Sequence, residues 1–453
     1  MKSLLATLPL LLASCAPLPL KQTSTSSQLA ISWWETQNQP SPNLTGWWSS
    51  FGDPELSRLV RLALEQHPDL SSAAAAVREA QASRNETRSD LFPALDYSAS
   101  RSTDRSVAFN GKDTTSHSFS SGLNASWEAD LFGKNHQLVL AGNAAIMAAQ
   151  ADLNSARASL AAETALAYLQ LRSAETDLAL VQDSIKSQEE TTQLAQWREQ
   201  AGEADSLEAE QALSSLESSR ASISSLQQTI EELRNQLNLL TGQSPRTLNV
   251  SAEKPLPIPS RNLAAQFPAD TVRQRPDVRA DGYRWVQAIA QTQSVTAEQY
   301  PSLTLSGSLG LNSQGLSKIF DPQSLVGDLV AGVTGPIFDA GRIRSRIAVQ
   351  NAAEEQAYHD YRSTLLTALS EVEDALIAIR RTQGRITTLE TAVGHAQSAA
   401  QLAASSYEAG VIDITQVLET QRSEITLERD LASTRLDYAS AHVELYRALG
   451  GGY

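Results

Sequence analysis

The chain lacks most of the features on which enzymes and nucleic-acid-binding proteins depend. Its six histidines are scattered without the paired spacing of metal ligands, and it has no glycine-rich phosphate loop. A formal net charge of −15 argues against nucleic acid, which needs a basic face. Because Cys15 is the only cysteine, no disulfide can form within the chain. We therefore predict no catalytic residue, no metal site, no bound cofactor and no enzymatic activity.

Aromatic residues and long hydrophobic runs are scarce as well. Aromatic residues make up 6% of the chain, which is typical of long helices with narrow apolar seams rather than of a thick globular core. Lys2 followed by the apolar stretch 4–12, too short to span a bilayer, predicts a signal peptide. No later segment holds 18 consecutive apolar residues, so we predict no transmembrane helix after processing.

The single cysteine follows this leader directly. Leu12-Ala13-Ser14-Cys15 resembles a bacterial lipobox, which implies cleavage before Cys15, a diacylglycerol on its sulfur and an N-acyl group. Ordinary cleavage nearby, with a free thiol, is the alternative. Ala16 in place of Asp implies an outer-membrane address. We therefore predict a signal peptide over 1–14 and a lipidated N-terminal tether over 15–50.

What the sequence does contain is a repeat at a fixed offset of 208 residues. Pro68-Asp69 recurs as Pro276-Asp277, Gly133-Lys134 as Gly341-Arg342, and Ala201-Gly202 as Ala409-Gly410. Because one spacing fits every pair without a gap, the chain is predicted to hold two copies of one structural unit. We place the first repeat at 51–242, a proline-rich linker at 243–260, the second repeat at 261–450 and a short tail at 451–453.

Each repeat begins with a predicted helix (53–90 and 262–299) followed by two strand-like runs. Apolar residues alternate with polar or small ones along 119–131, 303–311 and 329–337, and the weaker run 94–107 fills the matching place. Alternation of this kind is the signature of a strand with one apolar face. Polar, glycine-containing segments around 110–113 and 312–328 are the predicted connections.

Long helices complete each repeat. Residues 143–201 contain neither glycine nor proline, which predicts roughly 90 Å of helix, and 203–241 continues after Gly202. In that second stretch Leu216, Ile223, Ile230 and Leu237 are seven residues apart, as in a coiled-coil seam. Both flanks of the seam are polar, which suits a wall with water on both sides. A two-helix hairpin without a lumen remains the alternative.

Four strands cannot close a barrel by themselves. Strands of this length cross a bilayer when tilted, but lipid does not tolerate an open sheet edge. The smallest closed membrane barrels have about eight strands. If the strands span a membrane, two, three or four copies of the chain must therefore share one barrel.

Several motifs spread over nearly the whole mature chain resemble the TolC-like outer membrane efflux proteins, in the lipoprotein branch that includes OprM and the NodT-type factors. They lie at 47–56, 91–93, 127–134, 275–278, 335–342 and 445–453. The resemblance implies an α+β fold. A homotrimer would form a β-barrel in the outer membrane from four strands per chain, continued by a long periplasmic α-helical barrel.

The resemblance also implies a function and partners. The chain would be a passive duct in a tripartite efflux system, joined to a periplasmic adaptor protein and an inner-membrane pump, for which the resistance–nodulation–division type is the family expectation. It would sit in outer-membrane lipid and bind no nucleic acid. Two alternatives stay open: the duct of a type I secretion system, and a coiled-coil envelope lipoprotein that forms no channel. The exported substrate is not indicated by the sequence.

The same resemblance implies where function resides. The turns between the long helices correspond to periplasmic tips that contact the adaptor, through Gly202, Glu203, Asp205, Gly410, Val411 and Asp413. Glu419, with Arg422 one helical turn later, and Glu208 correspond to a gate that closes the pore. The alternatives are glycines that merely end helices, and carboxylates that lie on a solvated helix surface.

Overall fold

The computed structural model describes residues 46–107, 113–250, 255–259 and 269–451. The predicted signal peptide, Cys15 and most of the tether lie outside the described residues, as do linker positions 251–254 and 260, the start of the second repeat at 261–268 and the last two residues of the tail. The chain divides into two compact units. One contains 75–150 and 280–362, and the other contains the described parts of 40–74, 151–279 and 363–453. Each unit therefore takes residues from both sequence repeats.

Seven α-helices and four β-strands carry the fold in the part of the chain that the structure describes. They are α1 (Pro54–Gln66), α2 (Pro68–Ser89), β1 (Ala94–Val107), β2 (Asp113–Ala129), α3 (Lys134–Gln200), α4 (Ser206–Leu240), α5 (Pro276–Ala297), β3 (Ser302–Ser313), β4 (Leu325–Thr334), α6 (Arg342–Glu408) and α7 (Ile414–Ala448).

The predicted tandem repeat is confirmed by the element bounds. Helix α3 begins at 134 and α6 at 342, and each contains 67 residues. Helices α4 and α7 each contain 35 residues and begin at 206 and 414. Helices α2 and α5 begin at 68 and 276. Every one of these pairs of start positions differs by 208, so the sequence repeat is a structural repeat.

The first predicted helix, 53–90, is wrong in one respect, because it is two helices. Asp53 caps α1 by accepting a hydrogen bond from the backbone nitrogen of Glu55 at 2.8 Å. His67 then adopts an extended backbone, with ψ of 128°. The residue before a proline is disfavoured in helical geometry, so Pro68 ends α1 and begins α2.

The strands form one antiparallel sheet in the order β1-β2-β3-β4, without crossovers. The expectation that strand character extends to Leu131 and Ile337 is wrong, because β2 ends at Ala129 and β4 at Thr334. Gly335-Pro336 follows β4, and a proline cannot donate to the strand ladder. The connection between β3 and β4 is also shorter than predicted, since β4 already begins at Leu325.

The two faces of the sheet differ in polarity. Odd-numbered positions bring apolar side chains together across the strands, as where Trp127 lies opposite Leu305. Even-numbered positions are polar or small on β1, β2 and β3, whereas on β4 they include Val326 and Val330. One polar row crosses all four strands and consists of Asp96, Asn124, Ser308 and Asp328. Alternation with period two therefore produces the two-sided sheet that the sequence predicts.

The unit that contains most of the long helices is fastened by buried charged groups. The guanidinium of Arg275 donates to Asp277 at 2.6 Å, to Glu371 at 2.6 Å and to the carbonyl oxygen of Ala448 at 3.2 Å. Burial alone would raise the pKa of Asp277, but the hydrogen bonds and charge of Arg275 outweigh it and lower that pKa overall. Arg275 thereby ties the start of α5 to α6 and to the end of α7.

Replacing Arg275 by alanine tests this fastening. We expect Arg275→Ala to reduce the free energy of unfolding by about 2 to 3 kcal/mol, because two carboxylates lose their partner while remaining about one-third exposed. A lowered pKa stabilises the fold above the ordinary carboxyl value, so the difference should shrink as pH falls below about 4. Thermal unfolding followed by circular dichroism measures both the loss of stability and its dependence on pH. Arg273→Ala, at an exposed neighbouring position, is the control, and equal effects of the two would contradict the assignment.

Candidate functional site

The two turns that join the long helices have the same backbone geometry. Gly202 and Gly410 both have a left-handed backbone, with φ of 76° and 70°. The amide of Glu203 donates to the carbonyl of Arg198 at 2.8 Å, and that of Val411 donates to the carbonyl of Ser406 at 2.9 Å. This pairing is the Schellman arrangement, which favours glycine at its left-handed position. The repeat has therefore conserved the turn itself between its two copies.

The turns differ in how the following helix is capped. The carboxylate of Asp413 accepts hydrogen bonds from the backbone nitrogens of Thr415 at 3.1 Å and Gln416 at 3.4 Å, at the start of α7. Asp205 occupies the equivalent position before α4 but accepts only from the hydroxyl of Ser206, at 3.2 Å. The second turn is thus anchored more firmly to its helix than the first.

Both turns expose apolar and acidic side chains. Val411 is 75% exposed, and Leu207, just inside α4, is 60% exposed. Trp197, at the end of α3, is 59% exposed, and Glu203 is also exposed. Exposed aromatic and aliphatic side chains beside charges are typical of a surface that binds another protein.

A tyrosine that the sequence analysis did not single out connects the two helical hairpins. Tyr407, near the end of α6, is 1% exposed and donates its hydroxyl proton to the carboxylate of Glu208 on α4 at 2.9 Å. Arg198, at the end of α3, donates to the carbonyl oxygen of Tyr407 at 3.0 Å and lies 4.6 Å from the centre of its ring. We call Arg198, Tyr407 and Glu208 the tip link.

The tip link favours a protonated phenol. Burial raises the pKa of Tyr407 to about 12, and the hydrogen bond to Glu208 acts in the same direction, while the charge of Arg198 opposes it. The hydroxyl therefore remains a donor throughout the physiological pH range. A donor facing a carboxylate in a half-buried place forms a hydrogen bond stronger than one between neutral groups.

A small apolar cluster next to the tip link packs the same four helices together. Its buried members are Ala195 of α3, Ala212 of α4, Ala403 and Tyr407 of α6, and Ile414 and Val417 of α7. Alanines on three of the helices allow close approach of the backbones. The two hairpins, one from each repeat, are therefore joined by packing as well as by the tip link.

The other predicted gate residues are not brought together within one chain. Glu419 and Arg422 both lie on the exposed surface of α7. Among the described residues neither side chain forms an ion pair with any other. Glu208, in contrast, is held by Tyr407. The gate prediction for Glu419 and Arg422 concerns a ring of several copies and stays a prediction.

A buried polar layer borders the apolar cluster, and no pattern in the sequence predicts it. The side-chain nitrogen of Gln421 donates to the hydroxyl of Thr191 at 2.9 Å, between α7 and α3. Three buried oxygen atoms in this layer, on Gln188, Thr192 and Gln421, have no hydrogen-bond partner within the described segments. Buried polar atoms of this kind are normally satisfied by ordered water. We therefore expect ordered water within this contact between the hairpins.

No cluster of three or more histidine, cysteine, aspartate or glutamate side chains with metal-site geometry occurs in the described segments of the chain.

None of the helices that the structure describes combines the length and the apolar character needed to cross a membrane.

Two tandem repeats, each with one long helical hairpin and two strands of a single four-stranded antiparallel sheet, are typical of the TolC-like class of outer-membrane channels, and comparison with known proteins agrees. A model of the outer membrane efflux protein family matches residues 59–243 and again 268–451. The chain belongs to this family. The two matched segments coincide closely with the two structural repeats.

Individual relatives support the same assignment. The pyoverdine export outer membrane protein OpmQ of Pseudomonas aeruginosa is 31% identical, over 98% of this chain and 95% of its own length. The outer membrane protein OprJ of the same organism is 30% identical, over 90% and 86%. Among solved structures, the outer-membrane channel OprN has a TM-score of 0.87 and 30% identity, over 91% of this chain and 94% of that one.

The protein is therefore an outer-membrane channel component of an efflux system, located in the cell outer membrane. The predicted family, fold class, function and location are confirmed. Members of this family are channel proteins.

Comparing alanine substitutions at Gly410 and at Gly384 separates the conformational role of the turn glycine from the general effect of replacing a glycine. We expect Gly410→Ala to destabilise the fold by about 1 kcal/mol, because alanine resists the left-handed backbone. Gly384→Ala, in the middle of α6 with open space around the added methyl group, should instead stabilise by about 0.5 to 1 kcal/mol. Chemical denaturation of both variants measures the difference, and equal shifts would contradict the structural role.

Proposed function

We propose that three copies of the chain assemble into one duct, whose twelve strands close a barrel in the outer membrane and whose long helices form a tube on the periplasmic side. The open sheet supports this, because the outer edges of β1 and β4 have no partner strand among the described residues. Lipid offers no hydrogen bonds to such edges, so the strands need neighbouring copies. Three copies are the number that the family resemblance implies.

The duct is passive and contains no catalytic centre. It receives substrate from an inner-membrane pump through a periplasmic adaptor, and the pump is of the resistance–nodulation–division type. Relatives named for different cargoes support a general duct: OpmQ for pyoverdine export, and TtgF of Pseudomonas putida as the outer membrane protein of a toluene efflux pump. TtgF is 29% identical over 90% of this chain. Similar ducts with such different cargoes imply that the pump, rather than the duct, selects the substrate.

Cys15 carries the lipid that anchors each copy, as a diacylglycerol on the sulfur with an N-acyl group. The lipobox-like Leu12-Ala13-Ser14 before it supports this, as does the relative SilC of Salmonella typhimurium, which is named a probable outer membrane lipoprotein. SilC is 26% identical over 90% of this chain. Several acyl chains together give a stable anchor, whereas one alone binds a membrane only reversibly.

The tips hold the duct closed at rest and receive the adaptor. The tip link supports the first part, because it ties a hairpin of one repeat to a hairpin of the other beside the turns. The exposed residues at the tips, Gly202, Glu203, Asp205, Gly410, Val411 and Asp413, support the second. An adaptor that binds better to separated hairpins would shift the population toward the open duct.

Electrical recording tests the proposed function against its alternatives. The purified chain, inserted into a planar bilayer, should give discrete conductance steps, and crosslinking in cells should capture a periplasmic adaptor and a resistance–nodulation–division pump. Absence of conductance would favour the coiled-coil lipoprotein that forms no channel. Capture of a type I exporter instead of the proposed pump would favour the secretion duct.

Removing one hydroxyl group tests the tip link. We expect Tyr407→Phe to raise the ratio of open to closed channels roughly tenfold for each link, because about 1.5 kcal/mol of hydrogen bonding to a carboxylate is lost while the packed ring stays. Single-channel recording measures this ratio. Tyr438→Phe, on α7 in another apolar cluster, is the matched control. If both variants conduct like the unmodified protein, the tip link does not hold the duct closed.

The predicted gate ring is tested by ion selectivity. Three copies of Glu419 at a narrow place would attract cations and repel anions, with Arg422 as their basic neighbour. We expect Glu419→Gln to lower the ratio of cation to anion permeability by a factor of about two or more, since the fixed negative charge is lost. Reversal potentials in a salt gradient give the ratio. Glu163→Gln, at an exposed site on α3, is the control, and an unchanged ratio in Glu419→Gln would reject the gate role.

A further inference from the structure

The apolar face of the sheet changes character toward one end of the hairpin formed by β1 and β2. Odd-numbered residues of the four strands share this face, and most of them are apolar or small. Within the described strands, its charged and imidazole side chains all belong to the first hairpin: Arg101, Arg105, Asp113 and His117. They lie in the half of the hairpin that is remote from α2 and α3.

The second hairpin shows that these positions accept apolar side chains. Its strands pair in the same register as those of the first hairpin, 208 residues further along the chain. The counterparts of Arg101, Thr103 and His117 are three leucines, at 309, 311 and 325. Leu309 is 59% exposed and Leu325 is 60% exposed. The polar groups of the first hairpin are therefore not required by the strand pairing.

Arg101 has no acidic partner on its own face of the sheet. Asp113 is the one carboxylate on that face among the described strand residues, and it is bound by both Nε, at 3.2 Å, and Nη2 of Arg105. The guanidinium of Arg101 lies instead 5.4 Å from the centre of the ring of Phe119, on the opposite strand. An aromatic ring positions a guanidinium but leaves its charge in place. Arg101 therefore presents a positive charge that an external anion can compensate.

The place of Arg101 along β1 puts this charge near the outer headgroup layer. In the proposed duct the apolar face meets lipid and the helices lie on the periplasmic side, so the remote end of the hairpin points outward. A tilted strand crosses the hydrocarbon core in about 9 to 11 residues, so a core counted from Leu95 ends between about 103 and 105. Arg101 lies just below that limit. Long basic side chains at such a depth extend toward the nearest headgroups.

We propose that Arg101, with Thr103 and His117, forms a site on the outside of the duct for a phosphate group of the glycolipid in the outer leaflet. This inference rests on the proposed function and names a lipid partner for the barrel. The outer leaflet of the outer membrane consists mainly of lipopolysaccharide, a glycolipid whose sugars carry phosphate. A guanidinium binds phosphate through two parallel N–H groups, and basic side chains at a membrane surface recognise anionic headgroups.

The surroundings of Arg101 suit a phosphorylated sugar above acyl chains. The hydroxyl of Thr103 is hydrogen-bonded to Nδ1 of His117, directly opposite, at 3.1 Å. Both side chains are exposed, and they can contact phosphate oxygens or sugar hydroxyls. Toward the helices the same face becomes apolar, with Tyr97 70% and Leu123 45% exposed. A polar patch beside an apolar surface fits an amphiphile, and its outward position favours the glycolipid over the phospholipids of the inner leaflet.

Native mass spectrometry of the full chain, purified in detergent and stripped of lipid, tests the site. The probes are lipid A with both phosphates, the same lipid after removal of its phosphates, and phosphatidylglycerol. We expect the phosphorylated lipid A to bind the unmodified protein about fivefold or more tightly than either other lipid, because only it combines phosphate with sugar hydroxyls.

Arg101→Leu is the informative variant, because leucine stands at the counterpart position 309 and the fold accepts it there. We expect this variant to bind phosphorylated lipid A about tenfold more weakly and the dephosphorylated lipid unchanged. Arg101→Lys keeps the charge but not the planar fork, so its affinity should fall between the two. Arg385→Ala removes one positive charge from the exposed surface of α6 and is the matched control.

Several results would overturn the site. They are unchanged affinity in Arg101→Leu, an equal loss in Arg385→Ala, and phosphatidylglycerol or dephosphorylated lipid A binding as tightly as the phosphorylated form. The same spectra report the number of chains, so the assembly is judged separately. A trimer whose lipid binding ignores Arg101 would contradict the site alone. A monomer that still binds phosphorylated lipid A through Arg101 would contradict the proposed duct but not the site.

Discussion

The outer edges of a four-stranded sheet are the constraint on which the rest of this structure depends. In the part of the chain that the structure describes, the outer edges of β1 and β4 have backbone donors and acceptors without a partner strand. In water those groups would be solvated, but a bilayer core offers them nothing. In the assembly proposed above, other copies of the chain therefore complete the sheet.

In the proposed duct, the long helices form the periplasmic tube, and their turns form its closable end. Each of α3 and α6 contains 67 residues, which corresponds to roughly 100 Å of helix. Their ends meet in one place through Arg198, Tyr407 and Glu208, beside a cluster of small apolar residues. In the proposed duct this contact between the two hairpins defines the resting state, and a partner that binds better to separated hairpins would shift the population toward the open duct.

Much of the architecture could be predicted from the sequence because the repeat and the alternation of polar and apolar residues are local, periodic signals. The turns at Gly202 and Gly410 could be predicted in this way, because each glycine interrupts a long helical pattern and the two recur at the repeat spacing. The break at His67 was not predicted. Residues 53–90 follow one helical pattern, and Pro68 alone did not show that this pattern belongs to two helices. The tip link was missed for a different reason: Arg198 and Tyr407 are 209 residues apart in sequence, and only the packing of the hairpins brings them together. No single-sequence pattern marks a buried tyrosine as the partner of a distant carboxylate.

The number of copies in the membrane-embedded particle tests the central claim most directly. Native mass spectrometry of the protein released from a lipid nanodisc measures the mass of the intact assembly, including any covalent lipid. We expect a single species with three chains, in which no sheet edge faces lipid. A predominant monomer that stays folded and keeps its β-sheet in the bilayer would contradict the claim that neighbouring copies must complete the sheet.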